Sequence, residues 1–298
     1  MELSFIEILK VIFLGIVEGI TEWLPVSSTG HLILLDEFLK LRAGDGLDSR
    51  FVDEFVEMFS VVIQLGAILA VVVIFFGRLW PFGKSKSTDD KRGIWSVWGK
   101  VAVASIPAAL AGIVLDKVIE KLSGKDIEGW IYNAYVVAGA LIVYGVLFIL
   151  VEKRNAKKEP SVTDISQISY KKAFFIGVFQ MLALVPGTSR SGSTILGSMC
   201  MGLSRTAAAE ISFFMAIPAM AGGSLIKALG FASYLGENSI VPTIDVWAVL
   251  AVGFVVAFAV SLVAIRFLMD FVKKHSFSSF GVYRIILGAC VLLYFAFC

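Results

Sequence analysis

Leu, Ile, Val, Ala and Phe recur along this chain in long runs, separated by short polar stretches. A membrane-crossing helix needs about 20 apolar residues, with a usual range of about 17–25. Five stretches qualify plainly: Val56–Phe76, Val101–Ile119, Tyr132–Val151, Ala207–Leu229 and Val246–Met269. A sixth, Val282–Phe297, is shorter and carries Arg284 close to its start. Pro107 and Pro218 fall inside two of these stretches and are expected to kink them.

Two further apolar regions break the pattern. Phe5–Leu41 is interrupted by Trp23-Leu-Pro-Val-Ser-Ser28, and Ala173–Met201 by Val185-Pro-Gly-Thr-Ser-Arg-Ser-Gly192. Each reads as two half-length helices around a polar turn containing proline. Backbone without helical hydrogen bonds is tolerated at membrane depth only when buried in protein or lining a wet cavity. Both regions are therefore expected to be re-entrant helical hairpins, giving an all-α polytopic membrane protein of six transmembrane helices plus two hairpins.

Composition agrees with this. Of 298 residues, 58% are hydrophobic and 17% charged, against about 25% charged in a typical soluble domain. A soluble globule, a disordered chain and a disulfide scaffold are excluded. The net charge of +2 gives no reason to expect nucleic acid as a partner, because the basic residues follow membrane sidedness. Arg78, Lys84, Lys86, Lys91, Arg92 and Lys100 crowd one loop, and Lys153, Arg154, Lys157, Lys158, Lys171 and Lys172 another. Lys121 and Lys125 share their loop with Glu120, Asp126 and Glu128. The basic loops are thus expected to be cytoplasmic and both termini outside, so that the first hairpin enters from outside and the second from inside. Cys200, Cys290 and Cys298 lie in apolar stretches without ligand spacing and read as small core residues.

The order hairpin, three spans, hairpin, three spans is that of a repeat. Gly15-Ile-Val-Glu18 followed by Pro25-Val-Ser-Ser28 resembles Gly177-Val-Phe-Gln180 followed by Pro186-Gly-Thr-Ser189. An odd number of spans between the copies inverts the second. The chain is expected to form a single membrane domain, with inverted repeats over about 1–151 and 173–298 joined by the loop 152–172. Paired interrupted segments point to a site at the repeat interface.

The polar residues of the hairpins carry the candidate chemistry. Glu18 and Glu22 stand four apart on one helix face, where like charges repel. A charge at bilayer depth costs roughly 2.5–3.5 kcal/mol on insertion scales. Such a pair is stable if a cation bridges it or one member is protonated. Ser27, Ser28, Thr29 and His31 follow in the same hairpin. The second hairpin carries Thr188, Ser189, Arg190, Ser191, Ser193 and Thr194 after Pro186-Gly187. Free N–H groups at a half-helix start, with hydroxyls and a guanidinium beside them, fit phosphate oxygens. Gln64, in mid-span, suits either a substrate oxygen or an interhelical hydrogen bond. Opposed across an interface, the two hairpins would hold a metal-bound phosphate or diphosphate, with His31 available for proton transfer or attack. A lipid transporter would need the anion cradle and charge balance but not the hydroxyl and imidazole.

The runs Glu18-Gly-Ile-Thr-Glu22-Trp-Leu-Pro-Val-Ser-Ser28-Thr-Gly-His31 and Pro186-Gly-Thr-Ser-Arg190-Ser-Gly-Ser-Thr194 closely resemble the paired motifs of the bacitracin-resistance type undecaprenyl-diphosphate phosphatases. The likeness extends over essentially the whole chain, including Val62-Ile-Gln64-Leu-Gly66. The resemblance implies a multi-pass enzyme of the bacterial inner membrane, its site open to the periplasmic side. It would remove the terminal phosphate of undecaprenyl diphosphate, recycle the lipid carrier for wall polymers and protect against bacitracin. It implies a divalent cation, Mg2+ or Ca2+, held by Glu18 and Glu22, with Glu22 also an acid or base. Ser28 is the first choice of nucleophile, with His31 assisting it or itself attacking. Ser189, Arg190, Ser191 and Thr194 would bind the phosphates, joined by Ser27, Thr29, Gln64 and Thr188, and Arg190 would stabilise charge on the transferring group. A homodimer is compatible with this reading, as is a flippase for the phosphorylated carrier.

Overall fold

The computed structural model describes residues 5–39, 49–83, 86–123 and 133–297. Lys84, Lys125, Asp126, Glu128 and Cys298, and the side chains of Thr29 and Glu120, lie outside the described residues. The elements run α1 (Phe5–Thr21), α2 (Ser28–Phe38), α3 (Ser49–Ile74), α4 (Phe76–Leu79), α5 (Thr88–Ser123), α6 (Ala134–Asn155), α7 (Tyr170–Met181), α8 (Arg190–Cys200), α9 (Arg205–Glu237), α10 (Ile244–Lys274) and α11 (Ser278–Phe297). Among the described residues the only β pairing is an isolated bridge between Val162 and Leu203.

Six of these helices, α3, α5, α6, α9, α10 and α11, are long and apolar enough to cross a membrane. Four contain an expected span whole, while α3 ends two residues short of Phe76 and α6 starts two residues after Tyr132. The protein is a multi-pass, all-α membrane protein. The helices overrun the apolar stretches: α3 begins at Ser49 rather than Val56, and α5 at Thr88 rather than Val101. Helical hydrogen bonds persist beyond the apolar boundary. Asp89 and Asp90 favour the start of α5, where the helix dipole is positive. Both α5 and α9 continue as helix through Pro107 and Pro218. Leu225, Ile226, Val263 and Ile286 stay exposed, as suits faces turned to lipid.

The interrupted regions are as short as their sequence implies. At 1.5 Å per residue the 11 residues of α2 and of α8 reach only about 16 Å, half a hydrocarbon core. α1 packs on α10, and α7 packs on α5, so each broken helix leans on a span of the other half. α6 lies along α11 and α3 along α9. Small residues let these backbones approach. A methyl group at Gly145 would lie 2.6 Å from the Gly281 carbonyl oxygen, and one at Gly281 equally 2.6 Å from that of Gly145.

At the basic-loop end, Arg78 joins Glu210 at 2.5 Å and Asp164 at 2.7 Å. The loop after the first span is thereby tied both to the loop joining the two halves and to α9. Burial opposes the Asp164 charge, but hydrogen bonds from Ser166 and Arg78 outweigh it and hold the carboxyl below its ordinary range.

Candidate active site

The turns at residues 22–27 and 185–189 meet inside the bundle, and their backbones are built alike. Ser27 sits at φ 75° and caps α2, its hydroxyl accepting from the Gly30 N–H at 3.2 Å. Ser189 sits at φ 71° and caps α8, its hydroxyl accepting from the Gly192 N–H at 3.1 Å. A non-glycine residue held there costs roughly 1–3 kcal/mol, so the surroundings must enforce it. The correspondence runs one residue off the sequence comparison in the turns. Ser27, not Ser28, is the partner of Ser189, which makes Ser28 the counterpart of Arg190 and Pro25 that of Gly187.

Glu22 is the hub. Its Oε2 accepts the Ser28 hydroxyl at 2.8 Å, and its Oε1 accepts Arg190 Nη2 at 2.9 Å. The Ser191 hydroxyl donates to the Glu22 carbonyl at 3.1 Å and lies 3.1 Å from the Ser189 hydroxyl. Arg190 Nη1 is anchored on the Ser212 carbonyl at 2.9 Å, and its guanidinium lies 5.9 Å over the ring of fully buried Trp23. Arg190 Nε has no partner among the described residues, so the guanidinium keeps donors for a further oxygen.

Glu18 lies one turn before Glu22. It is fully buried, and neither of its oxygens has a partner among the described residues. An isolated carboxylate in that position is unstable without a cation or a proton. The carboxyl pair therefore suits a hard divalent cation, although the described residues contain no cluster of three or more metal-ligating side chains. Gln180, the neutral counterpart of Glu18, is buried with its carbonyl oxygen also unpartnered.

His31 is held away from Ser28. Its Nδ1 bonds the Ser27 carbonyl at 2.7 Å, and its Nε2 lies 2.6 Å from the Tyr283 hydroxyl. Other expected site residues lie behind the contact. Thr194 is fully buried and bonds the Ser212 hydroxyl at 2.7 Å, tying α8 to α9. Thr188 is buried at the Tyr144 hydroxyl. Gln64 is half-buried on α3 with no hydrogen bond to these groups among the described residues.

Sequence reading passed over Arg284. It is fully buried and binds the carbonyls of Pro25 at 3.1 Å, Gly187 at 2.7 Å and Thr188 at 2.8 Å, with its guanidinium 5.5 Å over the Tyr144 ring. One side chain thus ties both turns at equivalent carbonyls. The available signal was the one that singled out Arg190, a lone arginine among apolar residues.

Together these features define an integral membrane protein whose two broken helices bring acid, hydroxyl and guanidinium to one buried point. The chain belongs to the bacitracin resistance protein BacA family, which it matches over residues 11–290. It is 51% identical over 293 residues to a protein of Lachnoclostridium phytofermentans named undecaprenyl-diphosphatase, covering 98% of each chain. Proteins of the same name from Acetivibrio thermocellus and Enterococcus faecalis are 49% identical over 290 residues and 50% over 295. These alignments cover 97% and 98% of this chain and 98% and 99% of theirs.

Proposed function

We propose that this chain is an undecaprenyl-diphosphate phosphatase, hydrolysing undecaprenyl diphosphate to undecaprenyl phosphate and inorganic phosphate between the two turns. Relatives bearing that name match it at about half identity over nearly their full length. The observation that carries the site is the line Arg190–Glu22–Ser28, which joins an anion binder, a base and a nucleophile through one carboxylate.

In the first step the Ser28 oxygen attacks the terminal phosphorus and its proton passes to Glu22. The bond from that phosphorus to the bridging oxygen breaks, and undecaprenyl phosphate leaves with the electron pair. Arg190, Ser189, Ser191 and the N–H groups at the start of α8 bind the non-bridging oxygens, where charge is spread in the transition state. Water then attacks the phosphoserine. One water proton goes to His31, Glu22 returns its proton to the Ser28 oxygen, and phosphate departs. Ser28 and His31 are i, i+3 neighbours on α2, so both face the same side of that helix. Glu18 and Glu22 would hold a divalent cation, which when bound neutralises phosphate charge.

The charge bias of the loops supports an orientation with the site open to the outer, periplasmic side, and the family resemblance implies the bacterial inner membrane. The shared cap geometry of Ser27 and Ser189, and the exchange of packing partners between halves, support an inverted repeat of re-entrant hairpins. Phosphate release from undecaprenyl diphosphate by purified protein in detergent, beside Arg190→Ala, tests the function. Release by wild type and loss in the variant is expected. A folded, cation-supplied wild type that binds the lipid and releases nothing would leave lipid transport as the reading.

A further inference from the structure

The His31 ring is fixed at both nitrogens. A backbone carbonyl can only accept, so the 2.7 Å contact with the Ser27 carbonyl puts the hydrogen on Nδ1. In the neutral ring Nε2 then carries the lone pair, and the Tyr283 hydroxyl at 2.6 Å donates to it. The two rings are also stacked, with centroids 5.7 Å apart and planes 5° from parallel.

Tyr283 stands where a hydroxyl needs a reason. It is 44% exposed on α11, between Val282 at 49% and Ile286 at 58%. Phenylalanine would suit such an apolar face better, since a phenol without a partner is costly away from water. Tyr283 is the sixth residue of α11, roughly 8 Å along the helix, and its neighbour is Arg284, which binds both turns. Consecutive residues of α11 thus reach the site by different routes: Arg284 holds the turn backbones, and Tyr283 holds the imidazole.

We propose that Tyr283 is a positioning residue for the hydrolysis, holding the His31 ring through Nε2 in one orientation on the α2 face that also carries Ser28. This rests on the reading of the site as a phosphatase. The tyrosine touches neither substrate nor nucleophile. It acts through His31, so removing its hydroxyl matters only while the imidazole is present. When the water proton arrives, the Tyr283 O–H turns its hydrogen away from Nε2 and the freed lone pair takes the proton. Nε2–H then donates to the phenol oxygen, so no covalent bond of the tyrosine changes.

The test is Tyr283→Phe, which keeps the stacked ring and removes one oxygen. Because it loosens a residue that orients a proton carrier, kcat is expected to fall about tenfold with KM within about twofold. In a His31→Ala background Tyr283→Phe is expected to add nothing. The chain contains only two histidines, His31 and His275, so nitrogen-15 NMR of histidine-labelled protein in micelles reads the contact without turnover. Tyr283→Phe is expected to shift one Nε2 signal, which His275→Gln assigns to His31 by elimination. Unchanged signals and unchanged kcat would overturn the proposal. An equal kcat loss with and without His31 would overturn it too, because the tyrosine would then act by itself. A wild type that releases no phosphate while the NMR shift persists would overturn the phosphatase reading and leave the contact standing.

Discussion

The turn at residues 22–27 and the turn at 185–189 share a backbone and differ in chemistry. Each has a serine at positive φ capping an 11-residue half-helix and accepting from the N–H three residues on. At the first helical position beyond the cap, one half has Ser28 and the other Arg190. Nine residues before the cap, one half has Glu18 and the other Gln180. The two turns present equivalent positions at one point, and on the proposed reading their different side chains would serve as nucleophile and anion binder. Glu22 joins the two, taking Ser28 on one oxygen and Arg190 on the other.

Substitutions at the positions where the two turns differ, and at the arginine that ties them, test this division. Arg190→Ala should have the largest effect, a loss of about 10³-fold in turnover, because it removes the charge that stabilises the transferring phosphoryl group. A fall of less than tenfold in that variant would remove Arg190 from the reacting centre. Ser28→Ala should cost about 10²-fold or more, since Glu22 would then have no bound hydroxyl to deprotonate. Near-normal turnover there would pass the nucleophile's role to His31 or water.

Glu18→Gln gives the first half the residue of the second. It should reduce turnover about tenfold and weaken the response to added divalent cation, measured by titrating the chelated enzyme. An unchanged cation response would separate Glu18 from the cation. The smallest effect on chemistry, but a measurable one on stability, is expected from Arg284→Met. It strands buried carbonyls of both turns at about 1–3 kcal/mol each, read as a lower thermal midpoint in detergent. An unshifted midpoint would show that the turns hold each other without it.

Much of this was legible in the chain. The six spans could be read because each is a local run of apolar residues, and the two interruptions because Pro25 and Pro186 break such runs beside clusters of hydroxyls. Glu18, Glu22, Ser28 and Arg190 stood out as polar groups in apolar surroundings, where any charge needs a purpose. The same rule applies to Arg284, but its span begins only two residues before it, where an arginine can equally reach the membrane surface. The family motif puts Thr194 among the phosphate ligands, and only the fold shows that its hydroxyl bonds that of Ser212.

Sequence alone determined the class, the spans, the broken segments and a set of candidate polar side chains, since those follow from hydropathy, backbone preference and residue type within short windows. It did not determine which groups touch. Glu22 and Arg190 are 168 positions apart, His31 and Tyr283 252, and Pro25 and Arg284 259. Those pairings arise only when the helices pack. Packing alone decided that Ser28 faces a carboxylate rather than the histidine three residues away, and that a tyrosine in the last span meets that histidine.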